Sequence, residues 1–370
     1  MTNMPDTEIG ITQVYDYSGD LNPRTTVLFP WLIPAKLTDP TLPANIVNMP
    51  AWSPNGEFLA VAHQITPFVT IYQHSGKTFT KLANPAALPA STGYGVGWSL
   101  NGEFLAVAHV TTPFITIYQR SGTTFTKLAD PVALPAGDGR RAAWSPNGEF
   151  LAVGHSVTPF ITIYQRSGTT FTKLANPVAL PASTAWGIDW SPNGEFLAVA
   201  HPTTPFVTVY QRAGTTFTKL ANPATLPAGD GYGAAWSPNG EFLAIAHYIT
   251  PFITIYQRSG TTFTKITNPV ALPAAGGEAD CWSPNGEFLA VTHTVSPFIT
   301  IYQRSGAIFT KIANPATLPA SSVWGGAWSP NGEFLAVGVD ANPFITIYQT
   351  SGTLPEMGIV RIEKVIREGD

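Results

Sequence analysis

From Trp52 onward the chain alternates short apolar runs with clusters of turn-forming residues. Residues 57–63 and 68–73 are near-continuous apolar and β-branched runs, and residues 78–82 form a shorter run of the same kind. Such runs suit a pleated, packed surface and predict strands. Between them lie Ser53-Pro54-Asn55-Gly56, Gln64-Ile65-Thr66-Pro67 and the Ser75-Gly76 region. The first of these has the residue order of a type I turn followed by a left-handed glycine, which closes a hairpin. With the residues leading up to Trp52, the pattern predicts four antiparallel strands, A to D.

The same pattern restarts at Trp98, Trp144, Trp190, Trp236, Trp282 and Trp328, each 46 residues after the last. Strands B and C are apolar on both faces, and a lone four-stranded sheet cannot cover them. Seven sheets set around an axis cover one another, and a four-stranded repeat of about 40 to 45 residues is the sign of a propeller. The predicted fold is therefore all-β, a seven-bladed β-propeller of four-stranded antiparallel blades.

The ends of the chain predict how the ring closes. Lys36-Leu37-Thr38-Asp39-Pro40 resembles the later Lys81-Leu82-Ala83-Asn84-Pro85, so a spare D strand precedes the first A strand. The seventh unit lacks its own D strand. An N-terminal strand completing the last blade removes two exposed sheet edges together. The alternation in residues 357–366 offers an alternative closing strand. The domain plan is an arm at 1–24, a propeller at 25–353 and a charge-dense tail at 354–370.

At 370 residues and a net charge of −4, the chain has the length for one large ring and no global field for nucleic acid or an acidic membrane. The lone Cys281 excludes an internal disulfide framework. The N-terminus lacks the basic and apolar segments of a secretory signal, and no run of about 18 apolar residues spans a bilayer. The expectation is a product made in the cytoplasm without membrane insertion.

The unit resembles a WD-repeat blade, with Ser-Pro-Asn-Gly where that family has Ser-Pro-Asp-Gly, an apolar B strand and an aromatic-ended C strand. It lacks the family's Gly-His pair and the Trp-Asp end of strand C, which is Tyr72-Gln73 here. Blocks such as Gly93-Tyr94-Gly95-Val96-Gly97-Trp98 and Thr112-Pro113-Phe114-Ile115-Thr116-Ile117-Tyr118 are similar to the self-similar propellers encoded by tailed phages and prophages. That resemblance implies a virion component at a tail or capsid surface. Its partners would be other virion proteins, met through the arm or tail, and a host-surface glycan or protein.

Differences among the copies point to a binding face. Four residues before each Trp stand Asn48, Tyr94, Arg140, Trp186, Tyr232, Glu278 and Trp324; directly after strand B stand Gln64, Val110, Ser156, Pro202, Tyr248, Thr294 and Asp340. In an antiparallel blade the D–A and B–C links emerge on one rim, so both variable sites share a face. Drift at tolerant loop tips is the bland explanation. The other rim is equally exposed and has kept its Ser-Pro-Asn-Gly-Glu and Gln-Arg-Ser-Gly turns, and Tyr, Trp and Arg are hot-spot residues. Tyr94, Arg140, Trp186, Tyr232, Tyr248, Glu278, Trp324 and Asp340 are the predicted partner-binding residues.

Catalytic and metal chemistry weigh less. His63, His109, His155, His201, His247 and His293 would stand roughly 10 Å apart in a ring, too far for one metal with bonds of about 2 Å. They are expected to end strand B structurally, bonding loop backbone. If His109 pairs with Phe114, Glu103 comes opposite Arg120 as an exposed ion pair, with equivalents such as Glu149 and Arg166. Asp189, Asp280, Arg140, Arg141 and Glu278 are candidates for the channel, but no paired carboxylates or triad can be assembled from them. No cofactor or metal is expected. The leading expectation is a non-enzymatic virion protein; the alternatives are a free cytosolic interaction scaffold and, less favoured, a propeller hydrolase.

Overall fold

The computed structural model describes residues 34–350, and within them seven four-stranded antiparallel sheets form a closed seven-bladed β-propeller. The proposed arm at 1–24 and tail at 354–370, including the alternative closing strand, lie outside the described residues. The second blade is typical, with strands Gly93–Trp98, Phe104–His109, Ile115–Ser121 and Thr124–Lys127 from the axis outward. Its inner strand contacts those of both neighbouring blades.

Closure uses the N-terminal strand. Ala35–Lys36 pairs antiparallel with Ile345–Gln349, Ala35 opposite Gln349 and Lys36 opposite Tyr348. The sheet order makes this the outer strand of the seventh blade, which would otherwise present an open edge.

The core lies between blades. Phe104 of blade two stacks on Trp144 of blade three, with ring centroids 6.0 Å apart, and Phe171 meets both rings edge-on. Trp98 donates its indole N–H to the carbonyl of Ala51 in the preceding blade, 3.2 Å away, and Trp52, Trp144, Trp190 and Trp282 repeat the bond. Trp236 and Trp328 do not: their indole nitrogens are buried without a partner. At the corresponding position of the preceding blade stand Asp189 and Cys281 rather than Ala or Gly.

The turn chemistry read from Ser-Pro-Asn-Gly is present. Gly56 donates to the Ser53 carbonyl at 2.8 Å and takes a φ of 72°. The Ser53 hydroxyl accepts from the Phe58 amide and donates to Asn55 Oδ1, which also accepts from the Glu57 amide. The unit therefore leaves few of its own polar atoms open to a partner.

Two expectations need correction. Phe68 does not begin strand C: it sits at a φ of 67°, with its amide on the Ile65 carbonyl, and the strand starts at Val69. The same left-handed phenylalanine occurs in every blade, an unusual backbone for an aromatic residue. The predicted ion pairs also do not form, although the register is as expected, with the Arg120 amide on the Glu103 carbonyl. The Glu103 carboxylate instead takes Asn101 and Gln119. Arg120 donates to the carbonyls of Gly102 and Gly122 and lays its guanidinium over Phe58 of the previous blade, 4.9 Å from the ring centre. Those carbonyls and that ring hold the cation in a fixed, partly buried site, which an exposed carboxylate across the strand does not offer.

Candidate binding rim

On the variable rim, the residue four before the Trp is thrown out of the sheet by a β-bulge in six of the seven blades. In blade two Gly93 pairs with His109 and Gly95 with Ala108, leaving Tyr94 as the extra residue. Asn48, Arg140, Tyr232, Glu278 and Trp324 are bulged in the same way. Trp186 stands just before its strand, its amide on the Ala200 carbonyl. A bulge re-aims a side chain and is common beside functional sites. In blade two the residue ahead of it has no room for a side chain, because a Cβ at Gly93 would come 2.6 Å from the Phe68 carbonyl oxygen, although Val47 and Val323 take the same place in blades one and seven.

Three bulged residues, with Trp186 and the link residue Tyr248, bring five of the eight predicted residues into one stack. The Arg140 guanidinium lies between Tyr94 and Trp186, 4.5 Å from each ring centre. Trp186 then meets Tyr232 at 5.9 Å, and Tyr232 meets Tyr248 at 6.3 Å. The arc thus runs from blade two to blade five. Glu278 continues it electrostatically, since burial first, then the Glu278 and Asp230 charges, push the Tyr232 hydroxyl upward. Trp324 and Asp340, in the seventh blade, share the rim but do not join the stack.

The sequence reading missed the apolar part of this rim. Among the described residues ten large hydrophobic side chains are exposed. Eight of them, Ile65, Val132, Val157, Val178, Tyr248, Ile249, Val270 and Val295, belong to D–A or B–C links; Leu100 and Ile308 belong to the opposite rim. The signal was present in the Pro-Val-Ala-Leu-Pro links, whose valines are fully exposed in three copies.

Below the mouth, the charged candidates play separate parts. Asp189 accepts the amides of Trp190 and Trp236, at 2.9 and 2.8 Å, tying blade four to blade five, while burial raises its carboxyl to about 7. Arg141 donates to the Tyr94 carbonyl at 3.3 Å, and burial lowers it to about 10, still protonated at neutral pH. Burial raises Glu278 to about 7, opposed by Arg141. Asp280 is buried in the space a side chain at Gly233 would need, and among the described residues its carboxylate makes no well-formed hydrogen bond; burial, then Asp189, raises it well above the usual range, opposed only in part by the amides of Asp280 and Ala246 and by Arg141. The six histidines end the B-strand runs with Nε2 on a threonine hydroxyl, as His109 does with Thr116 at 3.0 Å. His201 and His293 also reach loop carbonyls through Nδ1, and burial lowers all six to about 4.

No protein-family model matches the chain, and no curated protein matches it. Among solved structures, a chain from "Crystal Structure of Mitotic Checkpoint Complex" is similar over 92 % of this chain and 99 % of its own, at 18 % identity and a TM-score of 0.65. That likeness is one of fold, and agrees with the WD-repeat-like blade pattern.

Proposed function

We propose that this propeller is a non-enzymatic interaction scaffold that binds a partner protein on its variable rim. The observation that carries the reading is the stack of Tyr94, Arg140, Trp186, Tyr232 and Tyr248, three of them set out by bulges, on the face that holds eight of the ten large hydrophobic residues exposed among the described residues. Rigid aromatic anchors beside an apolar surround are what a protein interface concentrates. The similar solved chain comes from a structure titled as a complex, in keeping with this reading. A hydrolase is disfavoured because Asp189 is committed to two backbone amides.

The finer placement, on a phage particle with the arm or tail docked to other virion proteins and the rim turned to a host-surface glycan or protein, rests on the wording of the repeats. Mass spectrometry of purified particles tests it, and absence of the protein from them sinks it. The scaffold reading is tested by affinity capture with wild type, with Tyr94, Trp186, Tyr232 and Trp324 all changed to Ala, and with Leu100→Ala/Ile308→Ala on the other rim. A partner held by the first and third and lost by the second supports it; a partner lost only by the third places binding on the wrong face.

A further inference from the structure

Resting on that reading, we infer that the arc between blades two and four is built to take a carboxylate from an acidic, apolar-flanked segment of the partner, with Arg140 as its anchor. Arg140 has more donors than partners. Among the described residues its one hydrogen bond is long, 3.4 Å from Nη2 to Asp138, and its Nε is buried with none. The Tyr94 and Trp186 rings hold the guanidinium between them, and its terminal Nη groups carry the N–H donors left over. A guanidinium held between rings is a preorganised donor set for a carboxylate, which such a cation takes through paired N–H bonds. Holding the rotamer in advance lowers the ordering cost of binding.

The surroundings select the rest of the segment. Val132, Val157 and Val178 are exposed in the links of blades two and three, and Val157 packs over Gly137, three residues before Arg140. Asp230, Glu278 and Asp340 stand on the links or inner strands of blades five to seven. The charges of Asp230 and Asp340, and of Glu278 where it is ionised, disfavour an acidic chain in that sector and direct it toward the arginine side, the like-charge exclusion by which interfaces fix register. Asp138 is then an internal competitor for Arg140, displaced when the ligand arrives.

A random dodecapeptide library panned against the intact protein tests this, with enriched peptides measured by fluorescence polarisation. Enrichment of Asp- or Glu-containing peptides with apolar neighbours is expected. Their affinity should fall at least tenfold in Arg140→Gln, fall less in Arg140→Lys, and rise several-fold in Asp138→Asn, where the competitor is gone. Melting temperatures of the variants identify any that fail to fold, and Asp138→Asn tests the idea by a gain rather than a loss. Peptides that bind equally to Arg140→Gln, peptides without a carboxylate, or no enrichment would each overturn the inference. Peptides that ignore Arg140 but are lost when Tyr94, Trp186, Tyr232 and Trp324 become Ala would leave the rim reading standing and remove only the carboxylate.

Discussion

The two rims of this ring are made by the same repeat and solve opposite problems. On the constant rim the polar groups are spent on one another: Ser191 on Asn193, Asn193 on Glu195, Gln211 on Glu195, and Arg212 on the carbonyls of Gly194 and Gly214. On the variable rim Tyr94, Arg140, Trp186, Tyr232 and Tyr248 stack without sealing, among exposed valines and isoleucines. A surface that satisfies itself has no reason to vary its residues and little to offer a partner. One held open by bulges can change residue by residue, because the ladder beneath does not depend on the bulged side chain.

The largest effect expected from that contrast is on binding. Replacing Tyr94, Trp186, Tyr232 and Trp324 with Ala should weaken the partner about 100-fold or more while leaving the melting temperature within a few degrees. Titration calorimetry and a thermal melt read the two separately. A collapse of the melt would mean these residues are core.

The same operation on the constant rim should do the reverse. Asn193→Ala leaves the Ser191 hydroxyl and Glu195 amide without their acceptor, and should cost about 1–2 kcal/mol in urea unfolding with binding unchanged. Arg166→Ala removes two carbonyl contacts and a guanidinium 4.9 Å from the Phe104 ring centre, and should cost about as much.

Beneath the open rim, the buried ionisable groups give opposite pH signs. The six histidines are held neutral, with native values near 4 against about 6.5 unfolded, so their contribution is full above pH 6.5 and is lost as pH falls toward 4. Asp280 is raised, so it costs stability above its unfolded value and that cost fades as pH falls. Asp280→Asn should therefore stabilise the protein at pH 7, with the gain shrinking as pH falls and closing by about pH 3, below the value near 3.9 at which unfolded Asp is half protonated. Urea midpoints across that range decide it, and a difference independent of pH would contradict the assignment.

The smallest change concerns a seam of the constant rim where another residue takes the place of the repeated arginine. In five seams an arginine lies over a phenylalanine of the preceding blade, but blade one has His74, edge-on to Phe334 at 4.9 Å. His74→Arg should add roughly 0.5–1 kcal/mol by restoring the repeated contact. An unchanged or lower urea midpoint would show that the closing seam does not accept it.

Blade count, strand order, the Ser-Pro-Asn-Gly turn and the His109–Phe114 register were legible because each depends on neighbours within 46 residues. The closing strand was legible for a different reason: a missing outer strand at one end matched a spare one at the other. The bulge at Tyr94 was not, since small residues on both sides give no alternation to break. Arg120 was placed opposite Glu103 correctly and assigned the wrong partner, because its ring contact comes from another blade. Phe68 has the composition of a strand residue and the backbone of a turn, which propensity alone cannot separate. Five of the eight rim residues proved to be one stack, a grouping that needed blade-to-blade distances.

Closure by Ala35–Lys36 also bears on how the ring is assembled in time. The outer strands of the first six blades follow their partners directly in the chain, whereas Lys36 and Tyr348 are roughly 300 residues apart. Bringing together ends separated by about five more doublings of chain length costs roughly 3 kcal/mol of additional loop entropy. Contacts of that range slow folding, while stacked neighbours propagate quickly. The six contiguous blades can therefore accumulate as a growing arc, and the last step waits for the two ends to meet. Until then the exposed edge of Ile345–Gln349 is the place where a second chain could pair, so the brief interval before closure is when nascent molecules are most vulnerable to aggregation.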